Sequence, residues 1–127
     1  MLAIGAAAMV VAAAPPSRTT GRIANVTDGD TFRLTSGERI HIAGIDAAET
    51  QPGNANFARE LAIGAAAKRR AIALLDGRTV AFERVGCSYN RTVARVWIGH
   101  RDLAVTLVDA GIARWWSRGE PKPDWCG

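Results

Sequence analysis

The chain is expected to fold as a small, mainly β domain of the α+β or barrel class, and three observations carry that expectation. Residues 31–35 alternate, with Phe32 and Leu34 on one side and Thr31, Arg33 and Thr35 on the other, as a half-buried strand does. After the turn pair Ser36-Gly37, residues 39–45 are rich in β-branched side chains, and 21–27, 79–85 and 92–98 read as further strands. Apolar residues at helical spacing occupy 57–75 and 102–110. Five strands with one helix inserted and another following do not fit a regular βαβ array, so periodicity stops at that class.

Taken in order, residues 2–14 are a continuous run of small and apolar side chains. The run is too short to span a bilayer in the usual way, and it fits the apolar region of an export signal. Its first cation, Arg18, comes after the run, and Pro15 sits awkwardly for cleavage after Ala14. Residues 15–20 are a linker by composition, so 1–20 is read as leader and linker, 21–118 as the folded domain and 119–127 as a tail. Ile23 and Val26 anchor the first strand. In the first helix Phe57, Leu61, Ala65, Ile72 and Leu75 fall near one face, Asn56 is a candidate cap, and Asp76-Gly77 ends it. Lys68, Arg69 and Arg70 lie late in that helix, where cations complement its dipole. Gly86, Ser88 and Asn90 supply the turn between the last two strands, and Gly111 closes the second helix.

Carboxylates mark the corners of the ribbon. Asp28 and Asp30 flank Gly29 before its first strand, while Asp46 and Glu49 follow its second. Antiparallel pairing about Ser36-Gly37 brings Asp30 towards Asp46. Two such carboxylates repel, and without a cation one tends to keep its proton. A hard divalent ion such as calcium, which takes oxygen ligands, resolves that conflict. The cluster is not an EF-hand: counted from Asp28, the places that need an oxygen ligand, Gly and Glu hold Phe32, Arg33 and Arg39. Nor do His41 and His100 join the cysteines in a zinc site, being too scattered.

Three segments carry a resemblance. Asp28-Gly29-Asp30-Thr31, Gly44-Ile45-Asp46-Ala47-Ala48-Glu49-Thr50 and Tyr89-Asn90-Arg91-Thr92-Val93-Ala94 resemble, in order, the signatures of the staphylococcal nuclease (thermonuclease) family. The resemblance implies an OB-fold, a five-stranded Greek-key barrel with two to three helices. It implies calcium held by Asp30, Asp46 and the Ala47 carbonyl, with Asp28 behind them. Glu49 is then the general base for an attacking water, Arg91 the clamp on the scissile phosphate, and Tyr89 a hydrogen-bond donor to a neighbouring phosphate.

This chain departs from the pattern in several places. The family's arginine five residues before the second aspartate is His41 here, a shorter side chain without a guanidinium fork. Arg39, two residues earlier on the same strand face, is a candidate to reach in its place. Ala48 stands for a proline and Asn90 for a glycine that Asn can mimic. Trp115 and Trp116 do not align with the family's base-covering aromatics and are expected to cover the barrel bottom. The long C-terminal helix is missing, and Pro121 and Pro123 oppose one.

At 127 residues the chain can bury one small core, and its net charge of +4 suits a polyanionic partner. Its even pair of cysteines, Cys87 and Cys126, is expected to form a disulfide if the protein is exported. The expectation is a secreted or periplasmic monomer, free of the membrane after processing, that hydrolyses DNA or RNA with calcium. His41 is expected to weaken it. The alternative is an OB-fold module that binds nucleic acid and has lost efficient catalysis.

Overall fold

The computed structural model describes residues 18–48, 58–88 and 90–117. β1 (Thr19–Asp28) runs antiparallel to β2 (Thr31–Leu34), which turns into β3 (Arg39–Ile42). Here the expected long strand breaks. Ala43-Gly44 forms a turn, with Gly44 at φ 81°, and a two-residue β4 (Ile45–Asp46) leaves in a new direction. Continuous pairing would have carried Asp46 past the end of β2; the turn folds it back beside the first corner instead. α1 (Ala58–Leu75) follows, then the hairpin of β5 (Thr79–Ser88) and β6 (Arg91–Ile98), whose pairing runs on to Ser88 opposite Arg91. The connection there is therefore tighter than the turn read from Gly86, Ser88 and Asn90. A short β7 (Arg101–Asp102), α2 (Leu103–Asp109) and β8 (Arg114–Trp115) complete the chain.

Strand order is β3-β2-β1-β5-β6, and a parallel pairing of β3 with β6 closes the ring. The result is a closed five-stranded barrel with two helices, an α+β domain of the OB-fold type. Inward positions are apolar: Ile23, Phe32, Ile40, Ile42, Val80, Phe82 and Val96 are all within 1 % of full burial. Each such side chain contributes on the order of 1.5–3 kcal/mol over its exposed state. β8 lies antiparallel to β4, Asp46 opposite Arg114 and Ile45 opposite Trp115.

Two helix expectations are corrected. The buried stripe of α1 is Glu60, Gly64, Ala67, Ala71 and Leu75, so Ala65 and Ile72 face outward. Small residues on that stripe let the helix lie close to β1, and closeness outweighed the larger apolar side chains. No cation stands in the last turn of α1. Arg70 instead donates to the Ala110 carbonyl at the C-terminal end of α2, complementing the other helix's dipole. Asp102 caps α2, its Oδ1 accepting from the Ala104 and Val105 amides. The leader-like run, Asn56 and the tail lie outside the described residues.

Candidate active site

The first corner is built by the Asp28-Gly29-Asp30 turn. The Asp30 amide donates to Asp28 Oδ1 at 3.2 Å, which fixes the corner. A Cβ on Gly29 would stand 2.8 Å from the Ala47 Cβ and 2.9 Å from Ile112 Cγ2, so only glycine lets this corner close on the second one. Across that contact the Ala47 amide donates to Asp30 Oδ2 at 2.9 Å. Asp30 and Asp46 are 5 % and 3 % exposed, and the charge of Asp46 acts on Asp30. The two corners thus converge, seventeen residues apart at the hydrogen bond.

Asp30 Oδ1 accepts from the Thr31 hydroxyl at 2.9 Å, and that hydroxyl lies 3.1 Å from His41 Nδ1. With the hydroxyl proton on Asp30, the imidazole Nδ1–H donates to Thr31. His41 Nδ1 is itself 3.7 Å from Asp30 Oδ1. The imidazole is therefore turned inward, towards the acids.

Burial is the largest effect on both acids of the first corner. It pushes the Asp28 carboxyl up to about 8, helped by the hydrogen bond it donates to Asp30 and by that neighbour's charge. Asp30 is also raised by burial. Hydrogen bonds from Asp28, Ala47 and Thr31 pull it back, and Asp46 pushes it further up. Burial and mutual repulsion both favour a proton on the Asp28–Asp30 pair, as expected of crowded acids.

Among the described residues no three His, Cys, Asp or Glu side chains form a complete ligand set. The side chains that do converge, Asp30 and Asp46, offer hard oxygens, which suit calcium and not a softer ion. Glu49 and Tyr89 lie outside the described residues, as does Cys126. Cys87 is exposed on β5 opposite Thr92.

Cross-strand register locates the cations. Thr31 pairs with His41 and Arg33 with Arg39, while His41 pairs with Val93 in the parallel ladder. Arg91, two residues before Val93, therefore shares the outer face of His41 and Arg39. Arg39 and Arg91 are half-buried and Arg33 is exposed.

Sequence reasoning missed the hydroxyl of Thr31, although it follows Asp30 in the first motif, because its bond to His41 exists only through strand pairing. It missed Arg114 for the same reason. Ala48, which stands for the family's proline, is fully buried. Trp115 is 57 % exposed, while the Trp116 amide donates to the Gly44 carbonyl at 2.8 Å beside the acid-bearing turn.

Residues 39–124, more than half of the chain, match the family described as Staphylococcal nuclease homologue. The match begins after the first acidic corner and spans the second, the whole of β5 and β6, and both tryptophans of β8 and its flank. No match to an individual curated protein was found. On that match and this barrel, the chain belongs to the staphylococcal nuclease homologue family.

Proposed function

We propose that the protein is a calcium-dependent phosphodiesterase that hydrolyses DNA, with RNA as a second substrate, and that His41 slows it. Membership of a family of nucleases and nucleic-acid-binding domains supports the reading at its coarsest. The observation that carries the finer one is the convergence of buried Asp30 and Asp46 under a face that also bears His41 and Arg91.

In this reading Asp30, Asp46 and the Ala47 carbonyl hold calcium. Bound there, the ion would polarise the phosphoryl oxygens and make a nearby water more acidic. The Ala47 amide and the Thr31 hydroxyl keep the Asp30 carboxylate aimed between the corners. Glu49 accepts the proton of the attacking water as its oxygen bonds to phosphorus. Arg91 donates to the phosphoryl oxygens as charge builds on them. The water's oxygen ends on the phosphate, and the departing sugar oxygen takes up a proton.

The test is cleavage of denatured DNA by the purified protein with added calcium. Activity lost in chelator and in Glu49→Gln supports the enzyme. DNA binding without any cleavage favours the second reading, a binding module, for which the inward hydrogen bond of His41 to Thr31 speaks. Absence of both ends the nucleic-acid interpretation. Residues 2–14 support export of the chain, and the reading adds a monomer with Cys87 and Cys126 paired once exported. Fractionation, gel filtration and thiol titration of the mature protein test those three points.

A further inference from the structure

Two rows of side chains cross the outer face of β2, β3 and β6. The first is Thr31, His41 and Val93, in register across three strands and hydrogen-bonded at Thr31 to the acid cluster. The second lies two residues along each strand, roughly 7 Å away. It contains Arg33 and Arg39, directly opposite one another, and by continuation of the parallel register Arg91 beside them. Like charges facing each other across a ladder cost stability, so this row works against the fold that carries it.

Several other arginines of the domain have partners. Arg84 is bidentate to Glu38, Arg18 stacks on Trp97 and Arg70 caps α2. Among the described residues, the second row is engaged at Arg33, by one bond to the Gly37 carbonyl at 3.0 Å. The ion pairs His41–Asp30 and Arg84–Glu38 use none of the three. Three guanidiniums in line, none of them paired with a carboxylate among the described residues, suit an anion with several charges on a matching line.

We propose that Arg33 and Arg39, continuing from Arg91, form a second phosphate subsite that grips the single strand one step beyond the phosphate at the acid cluster. The subsite rests on the nucleic-acid reading above. It does not need cleavage, so it serves the nuclease and the binding module alike. It gives Arg39 a task other than replacing the guanidinium absent at position 41: it holds a flanking nucleotide.

The probe is a labelled oligothymidylate of sixteen nucleotides, bound to the full chain in chelator and followed by anisotropy across a salt series. Each of Arg33→Gln and Arg39→Gln is expected to lower the slope of log K against log salt by about 0.7, the value for one lost phosphate contact on a single strand. Arg59→Gln, an exposed cation on α1, leaves the slope unchanged. Without oligonucleotide, Arg39→Gln is expected to melt higher than wild type, because the Arg33–Arg39 repulsion is gone. Arg39→Lys keeps the slope and the repulsion. If wild type binds and neither Gln variant changes the slope, the subsite is refuted while the nucleic-acid reading stands. If wild type does not bind, both fall.

Discussion

His41 sits in a register position where its ring can reach Thr31 and Asp30 but presents no guanidinium fork to a phosphate. A preorganised donor of that kind is worth about 3–4 kcal/mol in the transition state. His41→Arg is therefore expected to raise calcium-dependent cleavage of DNA by roughly 10²- to 10³-fold in kcat. An unchanged kcat would show that Arg91 alone carries the phosphoryl charge. Asp28 makes a second prediction at this scale. Its carboxyl titrates near 8 when folded and near the ordinary carboxylate value when unfolded. Between those values the folded state holds the extra proton, so the stabilisation it supplies declines as pH rises through that window and is gone only above it. In chelator, urea midpoints are expected to decline from about pH 5 to pH 9. Asp28→Asn should flatten that decline.

At the scale of elements, the site depends on two corners that meet. Each needs one glycine for a different reason. Gly44 takes a left-handed φ with open space around it, and so turns β3 into β4. Gly29 has an unexceptional φ but no room for a Cβ. Gly29→Ala must push the first corner away from Ala47 and Ile112, an overpacking that costs about 1–3 kcal/mol. The same shift lengthens the Ala47–Asp30 hydrogen bond. Calcium affinity measured by calorimetry should fall in this variant even at temperatures where circular dichroism shows it fully folded. Equal affinity would mean that the corners move independently.

For the whole molecule, crowded acids are a local destabilisation held in place by the barrel. Any cation that binds between them stabilises the folded state by mass action, by about 2.7 kcal/mol at a hundred times its Kd. Calcium is expected to raise Tm in a concentration-dependent way, and Asp46→Asn should abolish most of the rise. A calcium-independent Tm would refute the cation seat. The net charge of +4 acts at this scale too, drawing a polyanion to the face where the arginines stand.

Much of this was legible in the chain. Alternation in Thr31–Leu34 located a strand, and acids beside turn residues marked both corners, because local sequence controls turns and strand faces directly. The stripe of α1 was misread, since which face of a helix is buried depends on how near the sheet can come. Ala67 and Ala71 permit an approach that Ile72 would block. Glu49, the residue with the most chemistry assigned to it, lies outside the described residues.

What the sequence determined by itself is the inventory: which strands form, where they turn, and which acids and arginines stand at those places. Each follows from interactions a few residues long. Tertiary structure alone decided that β3 meets β6, that Asp46 faces Arg114, and that Arg33, Arg39 and Arg91 fall in one row. Those contacts join residues far apart in the chain, and their register is set by closing the barrel around a shared apolar core, which no short segment can specify.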